Sequence, residues 1–109
     1  MLASEIKPEK AVLVGIVTGR QDEDKVHDYL DELEFLLETA GAIPGKRFVQ
    51  KLPMPDPRTL VGAGKLQEIA EYVKAEGIDV AVFDDELSGS QTRNIERELG
   101  CRVLDRPLL

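Results

Sequence analysis

The stretch Ala11–Val17, with the sequence AVLVGIV, is a short and continuous apolar run rich in β-branched residues. Seven residues suit a strand better than a helix, and an apolar run without polar alternation is typical of a strand buried inside a protein. Thr18, Gly19 and Arg20 interrupt the run. The stretch therefore predicts a buried strand.

The next segment, Asp22 to Ala40, changes to helical periodicity. Eight of the chain's 21 acidic residues lie between Asp22 and Glu38, against one of its 14 basic residues, so this segment carries the whole net charge of −7. The pattern predicts an amphipathic helix with an acidic face in water, and that face repels phosphate. Its apolar residues, at helical spacing, are Val26, Tyr29, Leu30, Leu33, Leu36, Leu37 and Ala40.

Three further strands and two further helices are predicted, with short connections between them. Proline biases the residue before it towards extended geometry, and apolar runs and helix caps mark the remaining elements. In chain order they are a more polar strand near an edge at Lys46–Leu52, an extended loop at Pro53–Arg58, a helix that follows Gly62-Ala63-Gly64 and ends at Gly77, a strand at Asp79–Phe83, a helix capped by Ser88 and Gln91, and a strand at Cys101–Leu104.

The order β-α-β-α-β-α-β requires crossover connections and predicts an α/β fold, with a four-stranded parallel sheet and helices on both faces. We expect a doubly wound, flavodoxin-like strand order of 2-1-3-4. The alternative is a ferredoxin-like α+β layer, which requires a hairpin that none of the connections resembles. We assign residues 1–10 to an N-terminal extension, residues 11–105 to the α/β domain, and residues 106–109 to the start of a truncated following segment.

Composition limits the class of protein. The chain has 109 residues, 42% of them hydrophobic, which fits one globular domain. No apolar run approaches the ~20 residues of a membrane helix, the charged N-terminus does not resemble a secretory signal, and Cys101 has no second cysteine to pair with. We therefore expect a cytoplasmic protein that does not enter a membrane.

Gly62-Ala63-Gly64-Lys65 is the candidate phosphate-binding motif. Glycines before a helix let backbone N–H groups approach an anion. The motif is not a P-loop, because Thr59 stands where the first glycine belongs and Leu66 replaces the hydroxyl that would hold magnesium. Gln67 replaces the third glycine of a dinucleotide fingerprint. Two interpretations stay open: a tight turn into a helix, or a weak nucleotide site formed by Gly62, Gly64 and Lys65.

The other chemically reactive side chains are interpreted as structural. Asp84–Glu86 end a strand, where doubly wound folds place ligands, but no further ligand completes a site and we expect a loop and helix-capping role. We expect His27 to be a surface residue without a partner, Cys101 to be a small core residue, and Ser88 and Ser90 to be caps. The chain is therefore predicted to contain neither a catalytic residue nor a metal site.

Three segments follow the AVLVG strand and the acidic helix: DPRTLVGAGK at 56–65, FDDELSGSQTRNIE at 83–96 and VLDR at 103–106. In this order they resemble the N-terminal domain of the HflX family of GTPases, so the resemblance covers residues 11–109. The chain departs from the family at Gly89, where a proline is usual, and at Ile95, which replaces a leucine.

The resemblance implies a cytoplasmic, ribosome-associated parent protein whose GTP and Mg²⁺ are held by a downstream GTPase domain beyond Leu109. It implies that this domain contacts the large ribosomal subunit and its RNA, and it gives ATP as a weak second ligand. The basic residues Lys46, Arg47, Lys51, Arg58 and Lys65 either are solvated surface or form one positive side. We take Lys51, Arg58 and Lys65 as the candidate RNA contacts and expect them to lie away from the acidic helix.

Three functions therefore stay open: a module that positions the GTPase on ribosomal RNA, a regulatory domain that senses ATP, and a domain that only packs against the GTPase domain. In none of them does this chain hold a cofactor of its own with high affinity, and none requires a membrane.

Overall fold

The computed structural model describes residues 8–19 and 22–106. Its elements confirm the predicted alternation of strands and helices. They are β1 (Lys10–Thr18), α1 (Glu23–Thr39), β2 (Ile43–Leu52), α2 (Ala63–Glu76), β3 (Val80–Phe83), α3 (Gly89–Leu99) and β4 (Arg102–Asp105).

The four strands form one sheet in the order β2-β1-β3-β4, and every pairing in it is parallel. The predicted strand order is confirmed. β1 is central: Leu13 is paired with Arg47 of β2 on one side and with Val82 of β3 on the other. Consecutive strands are joined by helices, so the hairpin that the α+β alternative requires is not formed.

The predicted buried strand is buried along its whole apolar run. Every residue of Ala11–Val17 is buried, and its side chains alternate between two cores. Val12, Val14 and Ile16 enter the core under α2 and α3, while Ala11, Leu13 and Val17 enter the core under α1. Three valines of β3 and β4 are buried as well: Val80, Val82 and Val103.

The helices divide between the two faces of the sheet. α1 covers one face with Val26, Leu30, Leu33 and Leu37. α2 and α3 cover the opposite face, with Leu66, Ile69, Val73, Ile95 and Leu99. Among the described residues, the acidic helix is thus the only helix on its face of the sheet, and α2 and α3 lie on the opposite face.

β2 begins at Ile43, three residues before the predicted start at Lys46. Because β2 lies at the edge of the sheet, Pro44 can occupy it without breaking a central ladder. Gly45 allows β2 to approach β1 closely, because a Cβ at this position would lie 3.3 Å from the carbonyl oxygen of Ala11. The pairing of β1 with β2 shifts in register at the same place. Proline and glycine here mark an irregular strand rather than a connection.

The helix ends agree with the capping signals. The Asp22 carboxylate accepts a hydrogen bond from the Asp24 N–H at 2.9 Å, and Ser88 and Gln91 form the predicted capping box. Within the described ranges, no helix combines the length and hydropathy required to cross a bilayer. The predicted start of a following segment, residues 106–109, lies outside the described residues from position 107 onward.

Val82 offers a direct test of the core. Val82→Asp places a charge with no partner between α1 and the sheet, where the valine is 0% exposed. We expect the free energy of unfolding to fall by roughly 3–5 kcal/mol in a urea titration. Ile43→Asp introduces the same charge at a strand residue that is 51% exposed and serves as the control. Equal losses in the two variants would contradict the assigned packing.

Candidate functional site

The loop between β2 and α2 contains a hydrogen-bonded turn. The N–H of Asp56 donates to the carbonyl oxygen of Leu60 at 2.9 Å, and the Leu60 N–H donates back at 2.8 Å. The Asp56 carboxylate accepts the N–H of Arg58 at 2.8 Å. The prolines predicted an extended loop at Pro53–Arg58. These hydrogen bonds instead bend the chain back on itself at residues 56–60, so this part of the loop is not extended. The unusual backbone lies at Leu60, whose φ is +67°.

α3 holds this turn from the side. The Gln91 side-chain amide donates to the carbonyl oxygen of Asp56 at 3.1 Å, and the Asn94 amide donates to that of Arg58 at 3.1 Å. The backbone on both sides of Pro57 is thus tied to one helix. This leaves the Arg58 side chain exposed on a fixed support.

The Gly62–Lys65 motif opens α2, as predicted. Gly62 is the N-cap residue and makes no side-chain cap, and its N–H donates to Gln50 Oε1 at 2.9 Å. Neither glycine of the motif has a positive φ, and a Cβ at Gly64 would meet no atom within 4 Å. The Lys65 ammonium is bound to Glu68 at 3.3 Å. Packing therefore does not require Gly64, and the first N–H groups of α2 are left for other partners.

A recess of about 340 Å³ lies between this loop and the paired helices α2 and α3. α3 contributes residues at positions i, i+3 and i+4, and the facing residues of α2 include two alanines, which leave space. The lining residues are Asp56, Arg58 and Thr59 from the turn, Ala63, Leu66, Gln67 and Ala70 from α2, and Asn94, Arg97 and Glu98 from α3.

The basic residues of β2 do not join a single positive side. Lys51 forms an ion pair with Glu23 at 2.9 Å and Arg47 pairs with Asp31 and Glu34, so both lie against the acidic helix. The expectation that Lys51 lies away from that helix is wrong. Alternate residues of a strand face opposite sides of the sheet. The Lys46 ammonium accordingly lies on the other side, over the aromatic rings of Phe48 and Tyr72.

His27 also differs from its prediction as a residue without a partner. Its ring lies 3.5 Å from the Arg47 guanidinium and 4.0 Å from the Glu23 carboxylate. The contact with Arg47 bridges α1 to β2 and couples residues 20 positions apart in the chain, whereas Glu23 lies one turn earlier on α1. Helical periodicity alone places His27 on the surface and does not reveal a strand beside it.

Arg106 forms an ionic cluster at the carboxyl ends of β3 and β4, which the sequence did not predict. Its guanidinium donates to Asp84, to Glu32 at 3.0 Å and to the carbonyl oxygen of Tyr29 at 3.0 Å. The Asp84 side chain is only 7% exposed. Asp84 therefore joins β3, β4 and α1 rather than capping α3, whose N-cap is Ser88.

Burial controls the protonation of the two neighbouring acids at this point. It raises the pKa of Asp85 to about 6, and the adjacent Asp84 carboxylate adds to the shift. Burial also raises the pKa of Asp84, against the opposing hydrogen bond from Arg106. Within the described residues, no group of three or more histidine, cysteine or acidic side chains has a metal-binding arrangement.

Comparison with known proteins identifies the family. The family described as GTP-binding GTPase N-terminal matches residues 27–109. GTPase HflX of Flavobacterium psychrophilum is 52% identical over 107 residues, which are 97% of this chain and 26% of that protein. The chain belongs to the HflX family, as its N-terminal domain.

Other relatives agree with this assignment. GTPase HflX of Escherichia coli is 44% identical over 90% of this chain and 22% of its own length. A crystal structure of an SsGBP mutation variant matches 89% of this chain and 28% of that one, with a TM-score of 0.62 and 26% identity. The chain spans about a quarter of the length of the curated HflX relatives that it matches.

The segments that carried the HflX resemblance contact one another. Gln91 and Asn94 hold the turn at 56–60, and the Asp105 carboxylate accepts the N–H of Leu87 at 2.8 Å. The family usually has a proline where this chain has Gly89. A Cβ at this position would lie 3.4 Å from the end of the flexible Arg93 side chain, so there is also room for a larger residue. The motifs of this HflX domain therefore assemble one corner of the fold, beside the recess.

The raised pKa of Asp85 predicts a pH-dependent stability. The folded chain binds this proton at about pH 6 and the unfolded chain near pH 3.9. The fold therefore takes up a proton between these values, and stability falls as pH rises through that window and stays lower above it. Asp85→Asn should be more stable than the parent at pH 7, by on the order of 1 kcal/mol after allowance for solvent screening, and no more stable at pH 4.

Urea titrations at pH 4, 5, 6 and 7 measure this difference. Asp28→Asn, at an exposed position of α1, is the control and should show no comparable gain across the range. A constant difference between Asp85→Asn and the parent at all four pH values would contradict the assigned protonation.

Proposed function

We propose that this domain positions an HflX-type GTPase on the large ribosomal subunit by contacting ribosomal RNA. The observation that carries the proposal is the separation of charge: the acidic helix covers one face of the sheet, and the turn with Arg58 lies beside the helices of the other face. RNA is a polyanion, so the face opposite α1 is the one that can approach it.

The candidate RNA contacts differ in the charge that they offer. Lys51 is neutralised by Glu23, and Lys65 by Glu68, across ion pairs of 2.9 and 3.3 Å. Within the described chain Arg58 has no ion pair, and its supporting backbone is fixed by Asn94. A preorganised, unpaired guanidinium gains the most from a phosphate. We therefore rank Arg58 above Lys51 and Lys65.

The residues of this chain do not fit a GTP–Mg²⁺ complex. Leu66 is buried after Lys65 and offers no hydroxyl to a metal, while Lys65 itself is engaged by Glu68. We propose that the parent protein is a GTPase, as the relatives' names imply, that it is cytoplasmic, and that GTP and Mg²⁺ bind its downstream GTPase domain. The α/β domain of residues 11–105 then acts through RNA and through that domain.

A second candidate function is weak binding of ATP at the start of α2. The helix has no side-chain cap at Gly62, and Gly64 faces open space. Backbone N–H groups and the positive end of the helix dipole favour a phosphate there. With Lys65 held by Glu68, this arrangement favours low affinity over the tight cradle of a P-loop.

Large-subunit binding tests the main proposal. Changing Lys51, Arg58 and Lys65 together to Glu should weaken binding of the chain to purified large subunits by at least ~10-fold at 50 mM salt, and should flatten the salt dependence of the affinity. Arg58→Glu alone should account for most of the loss, and Lys51→Glu for little of it. Sedimentation across a salt series provides the affinities.

Lys25→Glu, on the exposed surface of α1, is the matched control because it reverses a charge on the acidic face. It should leave the affinity within about twofold. Unchanged binding in the triple variant would remove RNA contact and leave the domain with packing against the GTPase domain as its function.

A phosphate-release assay tests whether this chain hydrolyses GTP without the downstream GTPase domain. The purified chain with GTP and Mg²⁺ should show no turnover above background, because it lacks a metal-holding hydroxyl and a positioned phosphate cradle. Turnover that persists through repurification and disappears in Lys65→Ala would contradict this assignment.

A further inference from the structure

Arg58 and Arg97 both line the recess beside α2 and α3, and both are exposed. Within residues 8–19 and 22–106, neither guanidinium has an ion pair or a hydrogen-bond partner. Arg47, Arg102 and Arg106 form ion pairs, whereas Arg93, which does not line the recess, also forms none within these ranges. Two unpaired guanidiniums that face one cavity are a feature that folding does not require.

The acids at the recess do not cancel these two charges equally. The Asp56 carboxylate accepts hydrogen bonds from the N–H groups of Arg58 and Thr59, at 2.8 and 3.2 Å, and it therefore stabilises the turn. Glu98 is exposed and has no partner in the described chain. The uncapped start of α2, at Ala63, adds the positive end of a helix dipole to the same cavity.

The remaining walls suit a nucleoside. Gln67 presents an amide group that can donate and accept hydrogen bonds. Asn94, whose Nδ2 donates to the carbonyl oxygen of Arg58, presents its Oδ1 as an acceptor, and Ala63, Leu66 and Ala70 supply apolar surface. The lining residues include no aromatic ring, so the base is held by hydrogen bonds and apolar contact rather than by ring stacking. The volume of about 340 Å³ lies at the lower end of small-ligand sites, roughly 300–1,000 Å³, and it suits one nucleotide rather than a duplex.

We propose that this recess binds one unpaired nucleotide of a single-stranded RNA segment. Arg58 and Arg97 bind its phosphate with the N–H groups at the start of α2, Gln67 and Asn94 contact the base, and Glu98 accepts a hydrogen bond from a ribose hydroxyl. The inference rests on the proposed RNA contact and deepens it, because it names the form of RNA and adds four residues: Gln67, Asn94, Arg97 and Glu98.

Fluorescence anisotropy with short labelled oligonucleotides tests this assignment. The chain is titrated into a single-stranded RNA hexamer, a DNA hexamer of the same sequence and a duplex RNA, and free AMP is tested as a competitor. We expect the RNA hexamer to bind at least ~5-fold tighter than the duplex and the DNA, with AMP competing only at far higher concentration. AMP that competes as effectively as the hexamer would assign the recess to a free nucleotide and overturn the RNA proposal.

Charge-reversal variants locate the site. Arg97→Glu should weaken hexamer binding about 10-fold or more, whereas Arg93→Glu should change it less than threefold. Arg93 is the matched control, an exposed arginine one turn earlier on α3 that does not line the recess. Equal losses in both variants would show a diffuse electrostatic effect and overturn the site.

Glu98→Ala provides a readout that a merely structural role would not affect. It should reduce the preference for RNA over DNA while the affinity for the DNA hexamer stays constant or rises. An unchanged preference would remove Glu98 from the site. Retention on large subunits separates this inference from the proposed function: if the chain binds subunits but not the hexamer, only the recess is overturned, and if it binds neither, the proposed function fails as well.

Discussion

The whole structure depends on the central position of β1 in a parallel sheet. Its apolar run is buried along both faces and pairs with β2 on one side and β3 on the other. A strand of this kind needs helices above and below it, because parallel sheets expose neither face to water. α1 meets one half of that requirement, and α2 with α3 meets the other. The division between the faces follows from the burial of β1.

This division also separates the charges of the domain. The acidic residues of α1 occupy one face, where they bind Arg47, Lys51 and Arg106. Each of these cations forms an ion pair with an acidic residue of α1, so its charge is neutralised within the fold. On the opposite face, Arg58 and Arg97 form no ion pair within the described residues, although Asp56 and Glu98 line the same recess. The packing that stabilises the fold therefore determines which positive charges remain for a ligand.

Local patterns were sufficient to predict most of the fold. The apolar run at Ala11–Val17, the helical spacing in α1 and the capping box of Ser88 and Gln91 each depend on residues close in sequence. The start of β2 at Ile43 was missed because proline and glycine are tolerated at an edge strand with a register shift, and the sequence does not state which strand is at the edge. The candidate site was predicted less well. Lys51 was assigned to the wrong side, and the pairing of Arg106 with Glu32, 74 residues away, has no local signal.

The assignment of the RNA-binding face is tested most directly by hydrogen–deuterium exchange of the chain with and without purified large ribosomal subunits. We expect slower exchange in the turn at 56–62, at the start of α2 and in the part of α3 that lines the recess, Asn94 to Glu98, with α1 unchanged, because the acidic face repels RNA and the opposite face binds it. Protection confined to α1, or no protection anywhere at saturating subunit, would contradict the assignment of the RNA-binding face.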